Sequence, residues 1–367
     1  MKSTGTPGNG ERPRRKRLRR SDPSRPGITR SRNGQGFQYV GLDGEPIADT
    51  GVLERIAALT IPPAWQDVWI CPHDNGHIQA IGTDAAGRRQ YVYHQRWRER
   101  RDEAKFDRML EFAAVLPEVR RRAHAALMLP GLPRERVLAC AVRLLDRGFF
   151  RVGGESYADE HSTFGLATMR KEHVTLGDDG EIVFEYTGKS GKEHLQAVVD
   201  HDAYDVVRLL KRRRGGGEEL LAYCRPDRTW RDVRSDDINE YLKSLAGREY
   251  SAKDFRTWHA TVLMAVALAV SVPARRSQAS ARRAVSRGVQ EVAAYLGNTP
   301  AVCRGSYIDP RVIDRYLDGQ TIIGVVDTLG DPLGLESREA IEAAVIALTE
   351  RRPPPPPKPL KRLLERA

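Results

Sequence analysis

The 367-residue chain is 40% hydrophobic and 30% charged, long enough for a sizeable core and for two domains rather than one. Its net charge of +11 sits at the ends: residues 1–32 hold 11 Lys/Arg against Glu11 and Asp22, residues 351–367 hold six against Glu365, and the body between them is left at −3. Net charge therefore does not say what the body binds, while four scattered cysteines without a CxxC pair argue against a disulfide framework or a zinc site and fit a reducing compartment.

The run Arg12-Pro-Arg-Arg-Lys-Arg-Leu-Arg-Arg20 marks a basic arm, read as disordered over residues 1–32 and as binding polyanions without sequence preference. A plain solubility or targeting tail is the alternative. The N-terminus lacks the apolar core of a signal peptide. The greasiest run, Val262–Val270, is too short to cross a bilayer and reads as a buried helix. A soluble, cytoplasmic protein with no membrane partner is expected.

Residues 36–95 change character. Phe37–Val40, Val68–Cys71, His77–Ile81 and Gln90–Tyr93 are short apolar stretches separated by Asp43-Gly44, Asn75-Gly76 and Ala86-Gly87, the turn chemistry of an antiparallel sheet. A helix at about 50–59 ends before Pro62-Pro63. From Trp97 the pattern turns helical: a charged connector over Arg98–Leu116, then helices at about 118–129 and 134–148. Glu181–Tyr186 is a clear strand after Asp179-Gly180, residues 193–330 are again mostly helical, and Pro353–Pro357 is a polyproline spacer into a basic tail. The expected fold is α+β. A small β-sheet-rich N-terminal domain (33–100) precedes a larger, mainly helical catalytic domain with a β-hairpin (101–330) and a C-terminal helix (331–350). Disordered basic tails (1–32 and 351–367) flank them.

Arg151, Lys189, Arg256, Asn298 and Tyr307 are each uninformative alone. Together they are a set that could cleave a phosphodiester without a metal or another cofactor. Two guanidiniums neutralise a pentacoordinate phosphorus, an amide donates to a non-bridging oxygen, a lysine protonates the leaving 5′-oxygen, and a tyrosine attacks. The blocks that carry them are Phe150-Arg-Val-Gly153, Thr163-Phe-Gly-Leu166, Thr187-Gly-Lys-Ser190, Lys253-Asp-Phe-Arg-Thr257 and Leu296-Gly-Asn-Thr-Pro300 through Ser306-Tyr307. With Ile61-Pro-Pro-Ala-Trp65 and Gly87-Arg-Arg-Gln-Tyr-Val-Tyr-His94 before them, they resemble, in order, the type IB DNA topoisomerases of bacteria and poxviruses. The resemblance covers roughly residues 36–325.

That resemblance implies that Arg151 and Arg256 hold the scissile phosphate, that Lys189 on a hairpin is the general acid, and that Lys253 supports it near the leaving group. Asn298 stands where the poxvirus and eukaryotic enzymes have histidine; it can donate one neutral hydrogen bond but cannot become charged. Tyr307, nine residues on, would be the nucleophile. Gln90, Tyr91 and Tyr93 match positions that reach into the DNA groove, although a cross-strand aromatic pair would also explain the tyrosines. Arg275, Arg276, Arg282, Arg283 and Arg287 form a segment without an acid, read as phosphate contacts against the alternative of a disordered loop. Gln290–Leu296 reads as a short helix capped by a left-handed Gly297. Duplex DNA is the implied partner, clamped by a monomer in the nucleoid, with no metal and no ATP.

Gly188-Lys189-Ser190 looks like the end of a P-loop, but Val183 stands where the motif needs glycine. His73 and His77 flank a turn rather than share a helix face and read as structural or as DNA backbone contacts. A tyrosine recombinase is the rival reading, weakened by Lys253, Asn298 and the strand-rich residues 36–95. A non-enzymatic DNA-coating protein would leave the ordered polar set unexplained.

Overall fold

Alternation of apolar and polar residues builds the first part of the chain into a sheet. A computed structural model describes residues 17–34, 36–155, 162–189, 191–247, 249–272, 277–328 and 335–350. The chain divides into two compact units, Met1–Lys105 and Phe106–Ala367.

In the first unit five antiparallel strands lie in the order β2-β1-β3-β4-β5: β1 Ile28–Asn33, β2 Gly36–Val40, β3 Gln66–Ile70, β4 Ile78–Thr83 and β5 Arg89–Tyr93. Helix α1, Thr50–Ala58, starts at Asp49, whose carboxylate accepts from the Val52 N–H at 3.0 Å. Its Ile56 joins Ile28, Val68, Ile70 and Ala80 in a small core.

The basic arm is shorter than the charge run suggests. Residues 17–33 belong to this unit: Arg19 pairs with Asn75 and His77 through its backbone, and β1 pairs with both β2 and β3. The Arg30 guanidinium, one of the charges that made the segment look unstructured, donates to the carbonyls of Pro62 and Trp65 at 3.1 and 2.7 Å. Residues 1–16 and the Pro-rich tail 351–367 lie outside the described residues.

Helix α2 runs unbroken from Gln95 to Leu127, through Pro117, where a connector and a separate helix were expected. A proline inside a helix costs about 3 kcal/mol. Phe106, Met109, Phe112, Ala113, Leu116, Val119, Ala123 and Leu127 keep one buried stripe on both sides of it, and the apolar area outweighs that penalty.

The second unit continues with α3 (Arg134–Gly148), a three-stranded antiparallel sheet of β6 (Val174–Leu176), β7 (Glu181–Gly188) and β8 (Lys192–Val199), and α4 (His201–Arg212). A two-stranded ribbon, β9 Ala222–Cys224 with β10 Trp230–Asp232, precedes α5 (Ser235–Ala246). Then come α6 (Ala252–Val270), α7 (Gln278–Leu296), α8 (Pro300–Ser306), α9 (Pro310–Leu317), α10 (Ile323–Val326) and α11 (Leu335–Thr349). Their apolar faces form one core around Phe112, Phe255 and Trp258. Val262–Val270 is the last half of α6, and no described helix is long and apolar enough to cross a membrane.

Two boundaries differ from the sequence reading. Helix α6 begins at Ala252, ten residues before the apolar run Val262–Val270, so Lys253 and Arg256 lie inside it. Helix α7 begins at Gln278 rather than Gln290, because Ala281, Ala284, Val285, Gly288, Val289 and Val292 extend its buried face back through the arginines.

Candidate active site

The site is assembled where α3, the β7–β8 hairpin, α6, α7 and α8 end or begin. Helix α3 stops at Gly148, and Phe149 caps it in the left-handed region at φ 58°. A phenylalanine is strained there. It is held by its carbonyl, which accepts from Arg256 Nη1 at 2.5 Å, and by its ring, 5.0 Å edge-on to His259. Phe150 then packs on Phe184 at 4.7 Å. Arg151 and Val152 accept the N–H groups of Leu166 and Ala167 at 2.9 and 2.7 Å. Gly153 and Gly165 make that pairing possible: a Cβ on Gly165 would lie 2.4 Å from the Gly153 Cα. This backbone crossing aims the Arg151 side chain.

In the first turns of α6, Ser251 and Asp254 form a reciprocal cap, the Ser251 N–H donating to Asp254 at 2.8 Å. Lys253 and Arg256, three apart, share one helix face. Arg256 is 5% exposed, and its Nη2 donates to the Leu296 carbonyl at 2.7 Å. Burial first, then the charge of Arg151, brings its pKa down to about 10. A cation disfavoured by both effects is a site waiting for an anion.

Helix α7 ends in the left-handed Gly297, φ 62°, as its sequence suggests, and the Asn298 N–H closes the cap on the Ala293 carbonyl at 2.9 Å. The Asn298 amide oxygen accepts from Arg151 Nη2 at 2.5 Å. Its Nδ2 is buried without a hydrogen-bond partner. A guanidinium only donates, so the amide cannot be turned round, and the NH2 stands free as a donor.

Tyr307 caps α8, its N–H donating to the Cys303 carbonyl at 2.9 Å. The buried Thr261 hydroxyl of α6 lies 3.3 Å from the Tyr307 carbonyl and accepts from the Asp309 N–H at 3.1 Å. Asp309, fully buried, is gripped by Arg311 at 2.7 Å, so the backbone on either side of the phenol is pinned. The Arg256 guanidinium lies 5.4 Å from the ring centroid, close enough for its charge to favour the phenolate. Burial pushes the Tyr307 pKa up, but Arg256, Arg151 and Lys253 together outweigh it, and the net shift is downward.

Tyr307, Arg151, Arg256, Lys253 and Lys189 line one open cavity of 370 Å³, and no acid is found among the described residues that line it. Asn298 stands behind the cavity, linked to it through Arg151. Five of the six expected chemical residues thus converge directly and the sixth through a hydrogen bond. An arrangement of this kind can bind a phosphate, lower the barrier to attack by a phenol and supply a proton.

None of the other expected contacts among the described residues is one of those that line the cavity. In the first unit Tyr91 and Tyr93 stack on each other along β5 at 5.9 Å, rather than pairing across strands, and Gln90 donates to Asp84 at 2.9 Å. Arg282, Arg283 and Arg287 are exposed on α7, an ordered helix and not a loop. Arg275 and Arg276 lie outside the described residues. His73 bonds Arg19 at 2.9 Å, and His77 accepts the Ser21 N–H at 2.8 Å, so both are engaged within the unit.

Sequence reasoning missed Thr261, the Gly153–Gly165 crossing and His194, which stacks on Tyr186 at 5.1 Å behind the hairpin. His259 lies beside a buried ion cluster in which Arg120 and Arg338 bind Asp146 and Glu342 at 2.7–3.1 Å. One helical turn before it stands Arg256.

The model of the catalytic core of eukaryotic DNA topoisomerase I matches residues 94–318, and that of the N-terminal domain of bacterial DNA topoisomerase IB matches residues 36–84. The DNA topoisomerase 1B of Acanthamoeba polyphaga mimivirus is 30% identical over 297 residues, 79% of this chain and 87% of that protein. The DNA topoisomerase 1B of Vaccinia virus (strain Copenhagen) is 23% identical over 239 residues, 65% of this chain and 72% of that one. DNA topoisomerase 1 of Candidozyma auris is 32% identical over 133 residues, 36% of this chain and 16% of that longer protein.

Proposed function

The chain belongs to the type IB DNA topoisomerases, and from that premise we propose that it relaxes supercoiled duplex DNA without ATP, cutting and rejoining one strand through Tyr307. The observation that carries the proposal is the phenol of Tyr307, its ring 5.4 Å from a buried guanidinium, held below its ordinary pKa in a cavity of cations. A phenolate is the stronger nucleophile, and the same cations match the charge that builds on phosphorus.

In the proposed step the phenolic oxygen forms a bond to phosphorus as the bond from phosphorus to the 5′-oxygen breaks. The phenolic proton leaves to water. The Lys189 ammonium gives a proton to the departing 5′-oxygen, with Lys253 supporting it. Arg151 and Arg256 bind the equatorial oxygens, and the free Asn298 Nδ2 donates to one of them. The products are a 3′-phosphotyrosyl ester and a free 5′-hydroxyl. Rotation of the downstream duplex releases supercoils, and reversal of the step reseals the strand. One phosphoester is exchanged for another, so no outside energy source is required.

Phosphate contacts carry most of the affinity in this reading, with Gln90, Tyr91, Tyr93, Arg275, Arg276, Arg282 and Arg283 as the further DNA-binding residues. The protein works as a monomer closed around DNA and is associated with the nucleoid. The test is relaxation of supercoiled plasmid in EDTA without ATP. Wild type should relax it to completion and Tyr307→Phe not at all. Activity in the variant, or inactivity of the wild type, would overturn the proposal.

A further inference from the structure

Gly188 and Gly297 stand on different elements, one at the end of β7 and one capping α7, and each immediately precedes a residue of the site, Lys189 and Asn298. The imidazole of His194, on β8, fills the space beside both. A Cβ on Gly297 would lie 2.2 Å from its Cε1, and one on Gly188 would lie 2.5 Å from its Cδ2. The ring occupies the room a side chain would take at either position. Its third wall is Tyr186, directly opposite in the β7–β8 register, with the two rings 13° from parallel. Tyr186 is itself fixed: its hydroxyl donates to Gln196 at 3.0 Å, and Gln196 donates to the Gly148 carbonyl at 2.8 Å.

Burial, then Arg151, Arg256 and Lys192, hold the imidazole below its ordinary pKa against the opposite pull of Glu193, and so favour the uncharged ring. His194 is not among the residues that line the cavity. It acts from behind. Lys189, by contrast, is exposed at the hairpin turn, and among the described residues no hydrogen bond or ion pair of its side chain holds it. The placement of its ammonium therefore depends on where the hairpin tip is fixed.

We infer that His194 is a positioning residue for Lys189: a flat wedge between the Gly188 and Gly297 backbones that locks the hairpin tip to the end of α7. The inference rests on the reading of Lys189 as proton donor to the leaving 5′-oxygen. A one-ångström error in the position of a catalytic group is enough to lower a rate about a hundredfold.

The experiment compares single-turnover cleavage of two duplexes, one with the ordinary scissile phosphate and one with sulfur in place of the bridging 5′-oxygen. A thiolate leaves without being protonated, so the second substrate does not need the general acid. His194→Ala should slow the ordinary substrate on the order of 10²-fold and leave the sulfur substrate within about threefold of wild type. On the ordinary substrate the double variant with Lys189→Ala should be no slower than Lys189→Ala alone. Recovery on the sulfur substrate also establishes that the variant is folded. If His194→Ala does not fold, His194→Gln, which keeps most of the volume without a flat ring, carries the same comparison. No defect, an equal defect on both substrates, or losses that add in the double variant would overturn the inference. If Lys189→Ala cleaves the ordinary duplex at the wild-type rate, the role given to Lys189 fails, and with it the premise. A wild type that cleaves neither substrate refutes the proposed function itself.

Discussion

Replacing Asn298 with alanine should separate catalysis from stability. The amide oxygen is engaged by Arg151 at 2.5 Å, while the Nδ2 is buried and unpaired. A buried donor without a partner costs about 1–3 kcal/mol, a penalty the free protein carries until a phosphate oxygen arrives. Asn298→Ala removes that penalty together with the bond to Arg151, a half-buried guanidinium that water can reach, so the two changes offset each other. The melting temperature should move by less than about 4 °C, equivalent to about 1 kcal/mol for a domain of this size. Loss of one preorganised donor to a developing oxyanion, in contrast, costs about 2.7–4 kcal/mol, a 10²- to 10³-fold drop in rate. Single-turnover cleavage of a short duplex, paired with thermal unfolding, reads both quantities. Asn298→His, which restores a donor, should stay within about tenfold of wild type, and Asn298→Asp, which adds a charge facing the phosphate, should fall below Asn298→Ala. A cleavage rate for Asn298→Ala within about threefold of wild type would refute the donor role.

Arg256→Ala removes the largest force lowering the Tyr307 pKa and so raises it; because the phenolate is the attacking form, the rising limb of the pH–rate profile should move to higher pH, and an unmoved limb would detach Arg256 from the phenol. Asp146→Ala leaves Arg120 and Arg338 with Glu342 as their one shared carboxylate, and should lower stability by about 3–5 kcal/mol in urea unfolding. The Asp146 carboxylate is held well below its ordinary pKa, and Glu342 is lowered too, so their stabilisation is present above the ordinary carboxylate range and should disappear as pH falls below it. Gly165→Ala would press a Cβ against the Gly153 Cα and the Arg151 carbonyl, neither of which can swing aside; cleavage and stability should fall together, the latter by about 1–3 kcal/mol. Replacing Arg282 and Arg283 with glutamine should weaken DNA binding evenly across sequences and reduce the slope of log K against log salt by about 2.

The chemical residues were legible because each lies in a short block whose order and spacing survive in one dimension. The glycine cap before Asn298 was readable from turn chemistry alone, whereas the hairpin around Lys189 came only with the resemblance, its second strand Lys192–Val199 falling in a stretch read as mostly helical. Element ends were less so. The start of α6 was hidden because Lys253-Asp-Phe-Arg256 is polar outside and apolar inside only once folded, and the extent of α7 because three arginines occupy its solvent face. Pro117 suggested a break that a continuous buried stripe overrides, and β1 was concealed in a run of basic residues whose charges find carbonyl partners. The residues that steady the site were invisible for a different reason. Thr261, Gly165 and His194 act through contacts with residues 46, 12 and 103 positions away, at Tyr307, Gly153 and Gly297, and no local pattern records such contacts.

The central claim is that Tyr307 becomes covalently joined to a 3′ phosphate. Incubating the protein with a duplex whose downstream fragment, bearing the free 5′-hydroxyl, can diffuse away should trap that adduct. Label placed on the upstream side of the nick should migrate with the protein, and mass spectrometry of the digested adduct should find the nucleotide on the peptide carrying Tyr307. Attachment to a 5′ phosphate, or to any other residue, would contradict the account.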